Sequence, residues 1–357
     1  MKNKRFLIAS GGTGGHFYPG FAIGKALQKQ GAKVLFLVRK NDPAKEILAY
    51  HNLRFAELDL TGFPRSINPV RHVRFIKKLC ATLARTKRII SNFKPNVALG
   101  TGGYISFPLI FCAHRLGIKT ALHESNTRLG LSNKVCAHFA DLIMLGLPLE
   151  KNMKNAQLTS TPVRSEFAKT ANRMEVLMEL GLNPALPVVL VMGGSQGAKG
   201  LNEAVVSLVK AHPNVQFIHL TGEKWFQTLK ADYAGLANVC ALPYAHGVYK
   251  LMKAANMIIC RSGASTLAEI TACQLPAVLV PFPHAAEDHQ YHNAKVLEKY
   301  GCALVFRENK HLATQLSEVL QTLSPEELAR MKQAYTRLPL PDPLTATAAI
   351  CEKLQTL

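Results

Sequence analysis

The stretch of residues 260–293 combines side chains that suit the binding of a nucleotide. An apolar run ends at Cys260, Arg261 follows it, and Ser262-Gly263 interrupts the pattern just before a predicted helix. Backbone N–H groups at the start of a helix attract a phosphate group, and so does an arginine. Glu269 is better suited to accept hydrogen bonds from ribose hydroxyls, because its charge repels phosphate. We therefore interpret the stretch as a nucleotide site, with an ordinary strand, turn and helix as the alternative.

A histidine at the end of the first glycine-rich turn is a candidate for proton transfer. An apolar run at residues 6–9 leads into a turn at residues 10–16 and then a helical pattern. The imidazole of His16 suits a general base, since its unperturbed pKa is about 6.5, and the flanking glycines let a substrate approach closely. The turn is not the dinucleotide fingerprint, because Phe17 replaces its last glycine and Arg39-Lys40 replace the acid after the second strand. A dehydrogenase is therefore disfavoured.

Polar or glycine-rich turns follow three further apolar runs. They lie at residues 100–104, 123–126 and 193–198. Ligands bind at the carboxyl ends of the strands in a parallel sheet, so these turns are candidate ligand loops. The last turn contains Ser195 in a G-x-S-x-G pattern, which is also the nucleophile elbow of an α/β-hydrolase. A hydrolase has no need of the other turns, and we therefore interpret Ser195 as a phosphate ligand at the start of a helix.

The elements that must position these turns are alternating strands and helices. This order indicates an α/β fold with parallel sheets, and a length of 357 residues favours two domains. A hinge is predicted at residues 161–164, where the pattern loosens, and a proline-rich linker precedes a last short helix. We therefore expect domains of residues 1–163 and 164–343, followed by a helix at residues 344–357.

Positive charge is concentrated in the first of these domains. The formal net charge is +20, of which residues 1–163 carry +18, and no acidic residue stands between Leu60 and His123. A helical pattern at residues 68–94 mixes apolar residues with arginines and lysines. Such a helix can rest on an anionic membrane surface, and the alternative is a solvated basic helix that packs on the core. Nucleic acid is not expected as a partner, because no helix-turn-helix, zinc or aromatic-basic module accompanies the charge.

No metal or cofactor is expected from the sequence. His284, His289 and His292 have no clustered carboxylate or cysteine beside them, and no Asp-x-Asp pair is present to hold a magnesium diphosphate. The eight cysteines contain no Cys-x-x-Cys pair, which favours reduced thiols in a cytoplasm. Neither a signal peptide nor a membrane span is predicted. We therefore expect helix ends, Ser195 and Arg261 to neutralise a leaving phosphate.

Motifs along the whole chain resemble those of the MurG family, the N-acetylglucosaminyltransferases that convert lipid I to lipid II in bacterial peptidoglycan synthesis. The matching stretches, in family order, are residues 11–16 with Pro19, 102–104 with Ser106 and Pro108, 123–124 with Asn126, 162–164, 193–198 with Asn202, 261–264 with Glu269, and Gln290 with Asn293. The resemblance implies a GT-B fold, in which two Rossmann-like domains face each other across a cleft and the last helix joins the first domain. It also implies a metal-independent, inverting enzyme at the cytoplasmic face of the bacterial inner membrane.

The resemblance further implies a reaction and a set of site residues. N-acetylglucosamine would move from UDP-N-acetylglucosamine, bound by the C-terminal domain, to the 4-hydroxyl of N-acetylmuramic acid in lipid I, bound by the membrane-facing N-terminal domain. His16 is expected to be the general base, with Glu124 as the second candidate. The implied acceptor residues are Gly12, Gly102, Gly103 and Tyr104. The implied donor residues are Thr13, Gly14, Gly15, Asn126, Arg164, Ser195, Ala245, Arg261, Ala264, Ser265, Thr266, Leu267, Ala268, Glu269 on the ribose, and Gln290 near the sugar.

The sequence departs from the family pattern at three places. Ser125 stands where the family often has Gln, and Thr161 stands where it often has Asn. The turn at residues 244–248, which is acidic in the family, is here Tyr-Ala-His-Gly-Val. Because this turn borders the uracil pocket in the family, a backbone contact at Ala245 is expected and the side-chain roles stay open.

Two other functions remain open at this point. One is a UDP-N-acetylglucosamine 2-epimerase, which can share the fold but gives no reason for the basic first half. The other is a non-catalytic sensor of nucleotide sugars docked at the membrane, which would bind the donor without turning it over.

Overall fold

The computed structural model describes residues 4–12, 14–62, 64, 68–151, 153–194 and 197–357. Two of the predicted donor residues, Thr13 and Ser195, lie outside the described residues. The chain divides into two compact units, which we call the first and the second unit. The first comprises Met1–Arg164 with Leu340–Leu357, and the second comprises Ser165–Pro339.

The first unit is built on a parallel sheet. Its strands are β1 (Arg5–Ala9), β2 (Lys33–Arg39), β3 (Arg54–Leu58), β4 (Val97–Gly100), β5 (Lys119–Glu124), β6 (Leu142–Leu145) and β7 (Ala156–Leu158). They lie in the order β3-β2-β1-β4-β5-β6-β7, and every neighbouring pair is parallel. The central strands are almost continuous apolar runs because helices cover both faces of such a sheet. The order reverses between β1 and β4, which is where ligands bind in folds of this kind.

Helices cover both faces of this sheet. They are α1 (Gly14–Lys29), α2 (Ala44–Tyr50), α3 (Pro69–Phe93), α4 (Ser106–Arg115), α5 (Leu131–Cys136) and the last helix of the chain, α14 (Pro343–Thr356). On one face α1 shares its core with α14, whose Ile350 and Leu354 are fully buried. On the other face α3 and α4 pack together over β1 and β4. Asp342 begins α14 by accepting a hydrogen bond from the backbone N–H of Leu344 at 2.9 Å.

The second unit is built on another parallel sheet, of six strands. The strands are β8 (Val188–Met192), β9 (Gln216–Leu220), β10 (Val239–Leu242), β11 (Met257–Cys260), β12 (Ala277–Leu279) and β13 (Ala303–Val305), in the order β10-β9-β8-β11-β12-β13. Its helices are α6 (Arg173–Glu179), α7 (Lys199–Ala211), α8 (Glu223–Asp232), α9 (Val248–Ala254), α10 (Ala264–Cys273), α11 (His289–Lys299), α12 (Leu312–Thr322) and α13 (Pro325–Ala334). The prediction of an α/β fold with two parallel sheets is confirmed.

No helix in the described ranges is both long enough and apolar enough to cross a bilayer. The longest one, α3, begins at an Asn68 cap and ends where Lys94 adopts a left-handed conformation.

Candidate active site

The carboxyl ends of β1 and β4 bring His16 together with the second glycine turn. The backbone of Gly102 has a φ of 104°, and a Cβ atom there would lie 2.5 Å from Nδ1 of His16. Only glycine therefore fits beside the imidazole. The Thr101 hydroxyl donates a hydrogen bond to the backbone carbonyl of His16 at 2.8 Å, which fixes the start of α1 against the end of β4. The predicted base and two predicted acceptor residues, Gly102 and Gly103, are thus neighbours.

The first glycine turn is fixed by Asp42, a residue that was not predicted from the sequence. The buried Asp42 carboxylate accepts hydrogen bonds from the backbone N–H of Gly12 at 2.8 Å, from that of Ala44 at 3.1 Å and from Nε of Arg39 at 3.1 Å. The dinucleotide pattern has an acidic residue after the second strand, where this chain has Arg39-Lys40. Asp42 supplies an acidic residue three positions after Arg39. It binds the protein's own loop, and the only signal for it was an isolated Asp after β2.

Tyr104 remains accessible beside these turns. Its ring packs against Gly62, where a Cβ atom would lie 2.6 Å from the ring, and 42% of the residue is exposed. Tyr104, a predicted acceptor residue, is thus accessible to solvent just after β4.

Glu124, the second candidate for the base, is buried and fully hydrogen-bonded. Its Oε1 accepts from the backbone N–H of Asn126 at 3.0 Å and from the side-chain amide of Asn126 at 2.9 Å. Its Oε2 accepts from the backbone N–H of Gly130 at 3.0 Å and from Nδ2 of Asn133 at 2.9 Å. A carboxylate has about four acceptor positions, so these four donors fill them. The geometry therefore favours His16 over Glu124 as the base and gives Glu124 the task of holding the loop after β5.

Buried polar atoms without hydrogen-bond partners surround Glu124. Among the described residues they include Nδ1 of His123, Oγ of Ser125, Oδ1 of Asn133 and Oγ1 of Thr161. Burial lowers the pKa of His123, while its hydrogen bond to the backbone of Ser160 and the charge of Glu124 act in the opposite direction.

In the second unit, the glycine turn between β8 and α7 is tightly packed. Gly194 and Gly197 have φ values of 89° and 69°, and a Cβ atom on Gly197 would lie 2.3 Å from the carbonyl oxygen of Thr221. Ser195, which belongs to this turn in the sequence, lies outside the described residues.

Arg261 lies inside the second unit. Its Nη1 donates to the carbonyl oxygens of Val280 and Pro281, each at 3.1 Å, and its Nη2 pairs with the carboxylate of Glu308. Only 9% of its side chain is exposed. We expected this guanidinium to face an anionic ligand, but in this structure it faces Glu308 and joins the ends of β11 and β12. The reason is that two backbone carbonyls and a carboxylate surround it, which the sequence does not reveal.

The helix that follows Arg261 presents part of the predicted donor segment. Ala264, Leu267 and Ala268 are buried, so they can reach a ligand only through the backbone. Ser265, Thr266 and Glu269 are partly exposed. The N–H groups of the first turn of a helix have no acceptor within the helix, so the start of α10 is suited to an anion.

The remaining predicted donor residues lie at loop ends or helix starts. Gln290, near the start of α11, accepts a hydrogen bond on Oε1 from the backbone N–H of Phe282 at 3.0 Å, and its carbonyl accepts one from the Ser262 hydroxyl at 2.8 Å. Ala245 is partly exposed on the loop after β10, and Arg164 is partly exposed at the end of the first unit. Gly14 and Gly15 begin α1.

No group of histidine, cysteine, aspartate and glutamate side chains among the described residues is arranged to hold a metal ion. His284, His289 and His292 do not form one.

Known proteins match the chain along almost its whole length. The model of the glycosyltransferase family 28 N-terminal domain matches residues 6–145, and that of the family 28 C-terminal domain matches residues 188–342. A protein of Elusimicrobium minutum named "UDP-N-acetylglucosamine--N-acetylmuramyl-(pentapeptide) pyrophosphoryl-undecaprenol N-acetylglucosamine transferase" is 48% identical over 99% of this chain and 100% of its own length. A protein of the same name from Lacticaseibacillus casei is 34% identical over 95% of each chain. The chain belongs to the MurG family.

A solved structure agrees with this membership. The crystal structure of Acinetobacter baumannii MurG is 27% identical, has a TM-score of 0.82, and aligns with 99% of this chain and 100% of its own. The resemblance to the MurG family and the GT-B fold class predicted from the sequence are therefore confirmed.

Ser125 and Thr161, two of the residues that depart from the MurG pattern, lie close to Gly146 in the first unit. A Cβ atom on Gly146 would lie 2.0 Å from Oγ1 of Thr161 and 2.9 Å from the carbonyl oxygen of Ser125. The Thr161 hydroxyl and the backbone of Ser125 therefore both pack closely against Gly146.

A buried network in the second unit includes Asn202, which belongs to the MurG motif. Asn202 donates from Nδ2 to the carbonyl of Thr221 at 3.1 Å, and its Oδ1 lies 3.1 Å from Nε2 of His219. Nδ1 of His219 lies 2.8 Å from the hydroxyl of Tyr233. Because Oδ1 of Asn202 accepts, Nε2 of His219 carries the hydrogen and Nδ1 accepts from Tyr233. Burial lowers the pKa of His219 to about 4, so the ring stays neutral and holds α7 against β9.

Proposed function

We propose that the chain is an inverting N-acetylglucosaminyltransferase that moves N-acetylglucosamine from UDP-N-acetylglucosamine to the 4-hydroxyl of N-acetylmuramic acid in undecaprenyl-linked lipid I. The product is lipid II for peptidoglycan synthesis. The observation that carries this proposal is the 48% identity, over the full length of both chains, to a transferase whose name states the donor sugar and the acceptor.

His16 acts as the general base. It takes the proton from the acceptor 4-hydroxyl while that oxygen forms a bond to the anomeric carbon and the bond from this carbon to UDP breaks. The role is supported by the contact of the imidazole with Gly102, which places it beside the second glycine turn, and by the full occupation of Glu124 by four donors. General-base catalysis contributes roughly 10²- to 10⁴-fold to a rate.

The second unit binds the donor. The start of α10 faces the diphosphate with the backbone N–H groups of Ala264, Ser265 and Thr266, and Glu269 accepts hydrogen bonds from the ribose. Gln290 lies near the sugar and the backbone at Ala245 near the uracil. The family pattern implies that Thr13, Gly14, Gly15, Asn126, Arg164 and Ser195 also contact the donor. Because both Nη atoms of Arg261 are paired, we assign the neutralisation of UDP to the helix start and Arg261 to holding the neighbouring strand ends.

The first unit binds lipid I at a membrane surface. Val70, Val73 and Ile76 of α3 are exposed large apolar residues, and Arg71 and Arg74 between them are exposed as well. We call these five residues the α3 surface. Its apolar side chains can enter a headgroup layer while its cations bind anionic lipids. This supports a peripheral place at the cytoplasmic face of the inner membrane, with an anionic membrane and not nucleic acid as the partner.

One experiment separates the proposed transferase from the epimerase and the sensor. Donor labelled in the sugar is incubated with the protein, with and without lipid I, and the products are chromatographed. The transferase gives UDP and labelled lipid II only when lipid I is present. Turnover without lipid I indicates an epimerase, and binding without turnover indicates a sensor. Lipid II formation by His16→Ala at a near-normal rate would remove His16 as the base.

A further inference from the structure

Arg39 lies over the first glycine turn and pairs with Asp42 through Nε. Its Nη2 is 3.8 Å from the position that a Cβ atom on Gly12 would occupy. Its Nε donates to Asp42, and 41% of its side chain is exposed. In the part of the chain that the structure describes, no group accepts a hydrogen bond from either Nη atom. The side chain is thus fixed at one end and accessible at the other.

Asp42 fixes the position of Arg39. It also occupies the backbone N–H of Gly12, which could otherwise bind an anion. It is fully buried on its side chain and binds both Arg39 and the backbone N–H of Gly12. The N–H of Gly12 therefore already has an acceptor and is not available to an incoming phosphate. Arg39 places a positive charge beside this turn.

A comparison with Arg261 shows why the accessible guanidinium matters. Arg39 is the last residue of β2 and Arg261 directly follows β11, so each lies at the carboxyl end of an inner strand of a parallel sheet, and each pairs with a carboxylate. Arg261 is 9% exposed and has both Nη atoms paired inside the protein, whereas Arg39 has only Nε paired. Of these two residues, only Arg39 can offer a pair of N–H donors to a ligand without breaking an existing interaction.

The turn that Arg39 covers adjoins the predicted base. A Cβ atom on Gly103 would lie 3.8 Å from the carbonyl oxygen of Gly11 and 3.9 Å from Cδ2 of His16. Arg39, the first glycine turn, the second glycine turn and His16 therefore form a continuous surface at the carboxyl ends of β2, β1 and β4. An anion bound by Arg39 lies on the same surface as the group that His16 deprotonates.

We propose that Arg39, held in place by Asp42, binds the diphosphate of the acceptor and so positions the acceptor sugar for His16. This inference rests on the proposed function. It adds to the acceptor site a residue, Arg39, that is not among the family motifs. A planar guanidinium with two free N–H donors matches the oxygens of a diphosphate, and Asp42 acts only through Arg39 and Gly12.

The test is steady-state kinetics with a soluble acceptor, namely N-acetylmuramyl-pentapeptide on a diphosphate with a shortened prenyl chain, in the absence of lipid. Arg39→Gln keeps a donor for Asp42 but removes the charge. Loss of one charge-assisted pair predicts a rise in the acceptor KM of about tenfold or more, with the donor KM unchanged within about twofold. Arg39→Lys keeps a point charge without the planar donor pair. Its acceptor KM should lie between that of the wild type and that of Arg39→Gln.

Arg54→Gln is the matched control. Arg54 is an exposed arginine at the start of β3, paired in register with Leu35, and thus lies toward the opposite end of the sheet from Arg39. It should leave both KM values at the wild-type level. A thermal melt of each variant separates positioning from folding, since a purely structural role of Arg39 would lower Tm and alter both KM values together.

The alternatives give different results. An unchanged acceptor KM in Arg39→Gln, a rise of the donor KM alone, or an equal rise of both would overturn the inference. A loss of binding to anionic vesicles with unchanged kinetics on the soluble acceptor would assign Arg39 to lipid headgroups and would overturn it as well. Failure of the wild-type protein to glycosylate the acceptor is a separate result, which contradicts the proposed function itself.

Discussion

Gly102 and His16 are in direct contact, since a Cβ atom on Gly102 would lie 2.5 Å from Nδ1 of the imidazole. This contact joins the end of β4 to the start of α1, and it explains why a glycine stands at this position in the turn. The orientation of the proposed base therefore depends on a residue 86 positions further along the chain.

Gly102→Ala should lower the kcat of transfer, and this loss should exceed what a loss of folding stability alone would cause. The substitution adds a methyl group against the imidazole at a φ of 104°, so the ring must move. A displaced base predicts a fall in kcat of about tenfold or more, measured with the soluble acceptor. Gly117→Ala is the control, because Gly117 also has a positive φ of 70° but has nothing within 4 Å of its Cβ position. It should cost about 1 kcal/mol of stability and leave kcat unchanged. Equal kcat values for the two variants would show that the contact has no catalytic role.

Glu124→Gln should destabilise the first unit. The new amide group places an N–H donor against two of the four N–H donors that the carboxylate now accepts. We expect a loss of about 1–3 kcal/mol in the free energy of unfolding, measured by urea denaturation. Glu150→Gln is the control, because Glu150 is a partly exposed residue paired with Arg128, and such pairs contribute about 0–1 kcal/mol. If Glu124→Gln retained full stability and lost all transfer, Glu124 would have to be reconsidered as the base.

Stability should fall as the pH is lowered through the range set by His219. Burial lowers the pKa of this imidazole from 6.5 to about 4, so the unfolded chain binds a proton before the folded chain does. The group has no effect above about pH 6.5, and between there and about pH 4 it should remove about 3 kcal/mol of stability. His123, whose pKa burial also lowers, acts in the same direction.

The comparison of variants isolates this contribution. His219→Gln should be less stable than the wild type at pH 7 but should lose less stability between pH 7 and pH 5, as measured by urea denaturation at both values. The exposed His311 provides the control, and His311→Gln should keep the wild-type slope. A wild-type slope in His219→Gln would mean that this imidazole does not resist protonation.

The α3 surface should bind anionic vesicles through its exposed apolar residues. Ile76→Glu replaces a residue that is 57% exposed on α3, and it adds a charge that anionic lipids repel. We expect vesicle binding to weaken by about tenfold or more in co-sedimentation, while turnover of the soluble acceptor is unchanged. Met178→Glu on α6 is the control, because Met178 is similarly exposed but lies in the second unit. Equal binding of wild-type protein to neutral and anionic vesicles at low salt would contradict the electrostatic part of this account.

The sequence was sufficient for the fold class but not for the two edge strands of the first sheet. Apolar runs such as the one ending at Cys260 are buried on both faces, so their pattern is strong. The outer strands β3 and β7 are only partly buried, carry a mixed pattern, and were not predicted. The glycine turns were predicted because backbone conformation restricts residue type locally.

The hydrogen-bond partners within the site could not be predicted. Asp42 reaches Gly12 across 30 positions, and Glu308 reaches Arg261 across 47. Such pairs form only when the sheet brings distant loops together, and a single sequence carries no periodic signal for them. The same is true of Glu124, whose four donors come from a loop without regular spacing. The residue types of the site were therefore visible from the sequence. The sequence did not show which of these residues are available to a ligand and which bind other parts of the protein.

Inverting transfer to the acceptor 4-hydroxyl determines the linkage between the two sugars of the product. Wild-type protein is incubated with UDP-N-acetylglucosamine and the soluble acceptor, and the disaccharide product is analysed by NMR. We predict a β linkage from the anomeric carbon of N-acetylglucosamine to the 4-oxygen of N-acetylmuramic acid, with one UDP formed for each disaccharide. An α linkage, a bond to another hydroxyl, or UDP formed without any disaccharide would contradict the account.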